Sequence, residues 1–350
     1  MPAQISHLVF GEEALLQALG EAGEQILAGF GNVFRFGSQG PDFFYHNQRT
    51  RPSGLKYGVA LHREGYGRLV AGLVREHLRM STPAFSELGA FILGFATHAF
   101  LDRKTHPYIK YFSGWVEREY PESRQYFHCH AYLERVLDVL VLRERRNLEL
   151  KDLRVLEQVY CGENLPYMVV KALLKALHTG YPRMRYKSQD RRRIDNAYQD
   201  TLFFYVVTDP LSPHFRRLAY LRDREEGKDR KRLALFHPLN IPPDIDFLNL
   251  KHREWLHPCD DNLRYRADFF TLYEEALSEA AIFMTLLWDA LQARVTPEEV
   301  EKALGNMSLE TGFTAEACPG PQRFCSPLPL PERIAALYRA FDSELLVQRG

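Results

Sequence analysis

The sequence has few cysteines, no long apolar run and no excess of either charge, and each shortage excludes a class of protein. Lys+Arg and Asp+Glu each number 45, so no overall field draws the chain to nucleic acid or anionic membrane. The most apolar stretch, residues 88–101, is too short to span a bilayer and contains His98. The cysteines are scattered and odd in number, and they match no zinc-finger spacing: Cys129, Cys161, Cys259, Cys318 and Cys325.

The start of the chain lacks the basic flank and apolar run of a signal peptide. We therefore expect a cytoplasmic protein with reduced cysteines and no transmembrane segment. In an exported chain, Cys318 and Cys325 could pair with each other.

Apolar residues recur mostly at helical spacing, and few segments alternate with a period of two. This pattern predicts an all-α fold, a multi-helix bundle. We expect a single domain over residues 1–315, followed by a Pro-rich connector and a short C-terminal helix over 316–350. The predicted helices cover residues 11–28, 58–79, 82–105, 123–145, 165–177, 194–208, 264–291, 297–304 and 331–346.

Three other segments are predicted to be loops. Residues 37–52 are rich in turn formers, and the mixed charge run 222–232 is typical of a solvated loop. The proline-containing stretch 237–261 indicates an ordered, irregular segment that covers something.

Histidines and carboxylates at helical spacing are the most informative feature of the chain. His98, Asp102 and His106 lie four residues apart, and His130 and Glu134 repeat the step. On a helix such residues share one face. Imidazole nitrogen and carboxylate oxygen are ordinary ligands of zinc. Two such sets on separate segments indicate a multi-metal site, and hence a hydrolase.

An ordinary i,i+4 pair would give the same spacing at His98 and Asp102. However, His98 follows an almost wholly apolar stretch, and a buried Asp102 would be costly unless it were paired or bound to metal. Further candidate ligands lie earlier in the chain: His7, Asp42 and His62. Two other histidines, His46 and His128, compete with them for the same role.

The order of these motifs resembles zinc-dependent phospholipase C, a family related to the fungal single-strand nucleases with trinuclear zinc sites. The motifs are Ser6-His7-Leu8, the G-S-x-x-P-D of residues 37–42, a histidine-led helix at His62, H-x-x-x-D and H-x-x-x-E. The resemblance covers mainly residues 1–145. It implies an all-α bundle that hydrolyses phosphoric esters with two or three Zn²⁺ ions.

Carried over residue by residue, the resemblance implies three zinc sites. One would be held by Asp42, His62, His98 and Asp102. A second would be held by His7 and Asp102, with Asp102 bridging the two ions. A third would be held by His106, His130 and Glu134. Asp42 would also orient or deprotonate the nucleophilic water, as the catalytic residue.

The chain departs from the family pattern in three places. Secreted members use the amino terminus of a mature Trp as a ligand of the second zinc, whereas here Met1, Pro2 and four more residues precede His7. The step from Asp102 to His106 is shorter than usual, and the stretch from His106 to His130 is longer. Residues 246–255 and 306–312 look like parts of uncharacterised bacterial members.

The leading hypothesis is a metal-dependent phosphodiesterase of the phospholipase C type, acting on a phosphate-ester small molecule or a phospholipid headgroup without a stable nucleic-acid partner. The alternatives are a nuclease or phosphomonoesterase with the same metals, and a non-catalytic helical scaffold. Residues 43–45 are either a substrate contact or a hydrophobic plug, and residues 183–193 either a solvated loop or a phosphate clamp. Arg103 and Lys104 are expected to point away from the Asp102 face.

Overall fold

The computed structural model describes residues 4–116, 120–182, 184, 187–227, 231–318 and 325–347, with backbone alone for 344–347. Its described part is built from α-helices and one small antiparallel hairpin, which confirms the all-α prediction. The helices are α1 (Gln4–Leu19), α2 (Glu21–Ser38), α3 (Leu55–Arg63), α4 (Tyr66–Arg79), α5 (Glu87–Ser113), α6 (Cys129–Arg146), α7 (Val155–Val159), α8 (Tyr167–Gly180), α9 (Asp190–Thr208), α10 (Pro213–Glu226), α11 (Phe269–Leu291), α12 (Pro297–Leu304) and α13 (Leu330–Val347).

Helix α5 is the central element of the bundle. Ser86 caps its start by accepting a hydrogen bond from the backbone N–H of Gly89. Most of its 27 residues are buried, because α1, α2, α4, α6 and α11 all pack against it. A helix that is apolar nearly all round belongs in the middle of a core. The side chains of His98, Asp102 and His106 on α5 are therefore held in the interior.

Helices α2 and α5 approach each other closely through glycine. A Cβ atom on Gly94 would lie 2.1 Å from the carbonyl oxygen of Phe34, and one on Gly37 would lie 2.6 Å from that of Phe91. Neither position has room for a side chain. This contact holds the end of α2 against α5, directly before the turn that carries Asp42.

The helix boundaries differ from the predicted ones where glycine interrupts an apolar pattern. The predicted helix 11–28 is two helices separated at Gly20, whose φ is 50°. The predicted helix 58–79 is likewise broken at Gly65, whose φ is 81°. Both φ values lie in the left-handed region, which ends a right-handed helix. Apolar periodicity continues across both breaks and so conceals them.

Helix α10 is absent from the predictions, and the expectation of a loop over 222–232 is wrong for its first part. Residues up to Glu226 are helical, while residues 228–230 lie outside the described part of the chain. Helix α5 starts at Glu87, later than predicted, and runs on to Ser113. The remaining predicted helices lie at or within several residues of the observed ones.

The stretch 237–261 is irregular up to residue 254, as predicted, but its last residues belong to two strands. The carbonyl of Phe247 accepts a hydrogen bond from the Tyr108 hydroxyl of α5 at 2.7 Å, so this segment covers the central helix. It leads into the hairpin, in which β1 (Trp255–His257) pairs with β2 (Asp260–Tyr265). This hairpin was not predicted.

A disulfide joins Cys259 to Cys318. The expectation of reduced thiols is therefore wrong for these two residues, and the partner of Cys318 is not Cys325, which is free. The bond closes the hairpin against the segment that precedes the tail. Disulfides are typical of oxidising compartments, and the expected cytoplasmic location stays a prediction.

The last helix, α13, packs on the bundle through Leu330 and Ile334, which are fully buried. The division into a domain and a tail at residue 315 stays a prediction. Within the part of the chain that the structure describes, no helix combines the length and apolarity needed to cross a membrane.

The close approach of α2 and α5 gives a stability prediction. Gly94→Ala should lower the free energy of unfolding by about 1–3 kcal/mol, because the new methyl group meets the backbone of α2. Gly29→Ala is the matched control, because Gly29 is exposed on α2 and a Cβ there would meet just the outer edge of the half-exposed Phe85 ring. Urea unfolding measures both. Equal stability of the two variants would contradict the close contact.

Candidate metal centre

The structure brings all eight candidate ligands to one place in the core. Helix α5 supplies His98, Asp102 and His106 from one face, and four other elements surround that face. His7 comes from α1, Asp42 from a short 3-10 helix (Gly40–Phe44), His62 from α3, and His130 with Glu134 from α6. Seven of these side chains are buried, and His130 is partly exposed.

The carboxylate of Asp102 lies at the middle of the group. Its Oδ1 is 3.1 Å from Nε2 of His7, and its Oδ2 is 2.9 Å from Nε2 of His98. Nε2 of His62 lies 3.8 Å from Oδ2, and Nδ1 of His106 lies 3.6 Å from it. The carboxylate thus faces imidazoles from three helices, and its two oxygens point to different neighbours.

Asp42 approaches the same histidines from the other side. Its Oδ1 is 3.0 Å from Nε2 of His62, and its Oδ2 is 3.6 Å from Nε2 of His98. The turn before it depends on Gly40, whose φ is 56° and whose Cβ would lie 2.2 Å from the imidazole of His98. Gly40 therefore lets the backbone turn directly over the His98 ring.

A third group lies one helical turn further along α5. Nε2 of His106 is 3.3 Å from Oε1 of Glu134, and Nε2 of His130 is 2.9 Å from the same oxygen. His130 and Glu134 are an i,i+4 pair on α6, as the spacing predicted.

Backbone carbonyls orient three of the histidines. Nδ1 of His62 donates a hydrogen bond to the carbonyl of Gly58 at 2.8 Å. Nδ1 of His98 donates to the carbonyl of Ser38 at 3.3 Å. Nδ1 of His106 donates to the carbonyl of Leu309 at 3.0 Å. A proton held on Nδ1 leaves the Nε2 lone pair free to face the cluster. Metal-binding histidines are commonly fixed in this way.

The donor set fits a metal ion. Three groups have ligand atoms within 4.8 Å of one another: His7, Asp42 and His98; His62, His98 and Asp102; and His106, His130 and Glu134. Oδ2 of Asp42, Oδ2 of Asp102 and Nε2 of His98 are buried atoms without a well-formed hydrogen bond. Buried polar atoms normally find a partner, and a cation would supply one here. The first two groups share His98, whereas the sequence-based assignment shared Asp102.

Electrostatics keep the carboxylate of Asp102 ionised. Burial alone would raise the pKa of Asp102, but His106, His98 and His7 outweigh it and hold this pKa well below its usual range. Burial would likewise lower the pKa of His106, but Asp102 and Glu134 raise it to about 9. The chain alone therefore balances its buried negative charge with protonated imidazole. Metal binding would have to displace that proton.

A cavity of about 390 Å³ opens onto the cluster. Asp42, His62, His106 and His130 form its inner wall. Lys110 lines it as well; its ammonium is 2.6 Å from Oε2 of Glu310 and 4.7 Å from the centre of the Trp115 ring.

The remaining candidates from the sequence lie outside the three ligand groups. His128 lines this cavity but belongs to none of the three ligand groups, and His46 lies against Phe204, outside them. Phe43 and Phe44 are fully buried and match the plug interpretation, whereas Tyr45 faces the cavity.

The basic candidates Arg103 and Lys104 lie away from the three ligand groups. Arg103 donates to the carbonyls of Leu304, Gly305 and Met307, and Lys104 pairs with Glu275 and Glu279, so both point away from the cluster as expected.

Within residues 183–193, positions 183, 185 and 186 lie outside the described residues. The run 191–193 forms the first turn of α9 rather than a loop. Arg191 and Arg192 are exposed there, and Arg193 pairs with Asp190. None of the three lines the cavity at the cluster.

Residues 308–310 were not assigned a role from the sequence. The Ser308 hydroxyl and the Leu309 N–H both donate to the carbonyl of His62 at 2.9 Å, while the Leu309 carbonyl accepts from His106. This segment therefore fixes two candidate ligands from more than 200 residues further along the chain. The stretch 306–312 was noted in the sequence without being assigned a role. Its contacts with the candidate ligands join residues far apart in the sequence, so local patterns could not reveal them.

Asp138, also missed, anchors the helix that carries His7. Its carboxylate accepts hydrogen bonds from the backbone N–H groups of Gln4 and Ser6, the Ser6 hydroxyl and Nε2 of His237. It lies one turn beyond Glu134 on α6. This interaction ties the start of α1 to α6 and so joins two sides of the cluster.

Fold and site together define a helical protein with a candidate multinuclear metal centre. The family model of zinc dependent phospholipase C matches residues 6–188, and the chain belongs to that family. This confirms the resemblance, and the matched region contains all eight candidate ligands. Neither the curated proteins nor the solved structures gave a match.

Metal analysis of the purified chain tests the centre. We expect two or three zinc ions per chain, as the three ligand groups allow, with protons released on uptake because His106 must lose its proton. Asp102→Asn should lose at least one ion, since Asp102 contacts four of the histidines. His46→Gln is the matched control and should retain full stoichiometry. Unchanged zinc in Asp102→Asn would contradict the assignment.

Removal of the Asp138 carboxylate should be costly. Asp138→Ala should lower the free energy of unfolding by about 3–5 kcal/mol at pH 7, because it leaves buried donors of α1 and His237 without a partner. Asp195→Ala, a half-exposed residue of α9 in a loose 4.0 Å ion pair, should change it by about 0.5 kcal/mol or less.

The same residue gives a pH dependence. Burial raises the pKa of Asp138, but His237 and Arg135 outweigh it, so the folded pKa lies below the usual value. The stability that the carboxylate contributes is then present above its unfolded pKa and is lost as the pH falls through the folded one. The difference between wild type and Asp138→Ala, followed by urea unfolding, should therefore shrink in acid. A difference that grows in acid would contradict this role.

Proposed function

We propose that this chain is a zinc-dependent phosphodiesterase of the phospholipase C type, with a phospholipid headgroup or a similar small phosphate ester as substrate. The observation that carries the proposal is the open cavity beside the ligand groups. Structural zinc sites are closed by four protein ligands, whereas catalytic sites keep a position open to substrate. Here Asp42, His62, His106 and His130 all face the same 390 Å³ space.

The rim of the cavity supports a lipid ester over a nucleic acid. Val116 and Phe127 line it and are 46% and 40% exposed. Among the described residues that line the cavity, Lys110 is the one lysine and there is no arginine. Glu310 neutralises its charge. A single-stranded nucleic acid is held by a positively charged groove with stacking platforms, and the described lining of this cavity lacks that charge. An apolar rim suits a substrate with acyl chains.

The chain's own groups divide the chemistry between them. When bound, zinc supplies the charge that acidifies water and stabilises negative charge building on a phosphoryl group. Asp102 and the Nδ1-tethered histidines hold the ligand positions rigid. Asp42, whose Oδ2 makes no well-formed hydrogen bond, is placed to orient the attacking water and take its proton. Lys110 stands where it can contact a phosphate oxygen once it leaves Glu310.

Turnover of three substrates in parallel tests the proposal. The zinc-loaded chain should release phosphocholine from a short-chain phosphatidylcholine faster than it hydrolyses p-nitrophenyl phosphate or single-stranded DNA. Faster hydrolysis of the monoester or of DNA would instead identify the phosphomonoesterase or nuclease alternative. If a chain with full zinc turned over none of the three substrates, the remaining hypothesis would be the non-catalytic helical scaffold.

Asp42→Asn is the informative variant for this test. We expect activity to fall by about 10²-fold or more, with unchanged circular dichroism, because the amide cannot accept the water proton. His46→Gln, in which the altered side chain lies outside the three ligand groups, serves as the control and should keep wild-type turnover.

A further inference from the structure

The small hairpin β1–β2 contacts the segment that orients two of the candidate ligands. This segment, residues 306–313, contains Leu309, whose N–H donates to the carbonyl of His62 and whose carbonyl accepts from the ring of His106. The hairpin itself supplies none of the candidate ligands, and the proposed reaction gives it no role.

The side chain of His257, at the end of β1, joins the hairpin to this segment. It is buried, and its Nδ1 accepts a hydrogen bond from the backbone N–H of Cys259 at 3.1 Å. The proton of the neutral ring is therefore on Nε2, which donates to the carbonyl of Thr311 at 3.0 Å. The ring of Phe313 packs edge-on against the same imidazole, with the ring centres 4.5 Å apart. His257 thus fixes the chain two residues after Leu309.

The disulfide makes a second link between the same two parts of the chain. It joins Cys259, in the turn of the hairpin, to Cys318, 59 positions later. The N–H of Cys318 donates to the carbonyl of Thr314 at 3.0 Å, so the bond lies one short turn from the end of the segment. Because Cys259 also donates to His257, the disulfide and the imidazole connection meet at one residue.

The segment is held at its other end by α5. The guanidinium of Arg103 donates to three backbone carbonyls within residues 304–307. Leu309 therefore lies between an anchor on α5 and an anchor on the hairpin. Beyond Leu309, Glu310 pairs with Lys110, but the Glu310 side chain is 44% exposed. The hairpin provides the buried anchor on this side of Leu309.

We propose that the hairpin positions Leu309, and that zinc binding at His62 and His106 therefore depends on an intact disulfide. The inference rests on the proposed zinc-dependent function and names a means of controlling it. A dithiol reductant would give two electrons and two protons to the disulfide, forming two cysteine thiols and a cyclic disulfide of the reductant. No candidate ligand is altered in this step.

A variant without the disulfide tests the proposal and avoids a reductant that would itself bind zinc. In competition with the chromogenic chelator Zincon, the double variant Cys259→Ser, Cys318→Ser should hold at least one zinc ion about 10–100-fold more weakly than the wild type, the usual cost of disturbing a group that orients a metal-bound histidine. Cys325→Ser removes a free thiol and is the matched control, so it should keep wild-type affinity. Equal zinc affinity in the double variant and the wild type would overturn the proposal.

The three ligand groups should respond differently. His62 and His106 belong to two of them, whereas the group of His7, Asp42 and His98 contains neither. We therefore expect the double variant to retain at least one tightly bound ion. Loss of every ion would indicate collapse of the whole cluster rather than loss of positioning, and would contradict the proposal.

Substitution of the histidine separates its contribution from that of the disulfide. His257→Phe leaves both cysteines in place and removes the hydrogen bond to Thr311, so zinc should again bind about tenfold more weakly. His257→Gln, whose amide can donate to the same carbonyl, should recover part of that affinity. His214→Phe, an exposed position of α10, is the matched control. If His257→Phe bound zinc as tightly as His214→Phe, the hairpin would have no positioning role.

Hydrogen exchange of the full chain without added metal gives a readout that does not depend on zinc. The N–H of Leu309 should exchange faster in the double cysteine variant, whereas those of Gln4 and Ser6, which donate to Asp138, should keep their protection. An equal increase at both places would show general destabilisation and would exclude the proposed positioning. Failure of the proposed function looks different, because the wild-type chain would then bind no zinc at all.

Discussion

The carboxylate of Asp102, held inside the core by imidazoles, is the constraint on which the rest of the structure depends. A buried carboxylate without partners would cost several kcal/mol, so the fold has to bring cations or hydrogen-bond donors to it. The partners come from α1, α3 and α5. These helices can converge because residues 88–96 of α5 are all apolar or glycine, and because glycine allows α2 to pack directly against it. Core packing and site geometry are therefore parts of one arrangement.

Backbone carbonyls around the cluster accept hydrogen bonds from three of its histidines and so orient them as ligands. The carbonyls belong to Ser38, Gly58 and Leu309, which are far apart in the sequence. The region that matches the family ends at residue 188, yet the segment that fixes His62 and His106 lies at 308–309. The C-terminal half thus contributes to the site without supplying a candidate ligand.

The parts of the molecule that could be predicted from the sequence are those that depend on local spacing. The i,i+4 steps placed His98, Asp102 and His106 on one helical face and His130 with Glu134 on another. The family resemblance then grouped them with the three earlier candidates into metal sites. Contacts set by tertiary distance could not be predicted. The partner of Cys318, the anchoring of α1 by Asp138 and the role of Leu309 all join residues at least 59 positions apart. The breaks at Gly20 and Gly65 were missed for another reason, since apolar periodicity continues through them.

The open space beside the ligand groups distinguishes this centre from a purely structural one. Asp42 and Tyr45 come from one turn and line the same cavity, together with candidate ligands from α3, α5 and α6. A purely structural metal site would need no such space, because closure of its coordination shell would be enough. The arrangement of this turn therefore favours the proposed hydrolase over a helical scaffold.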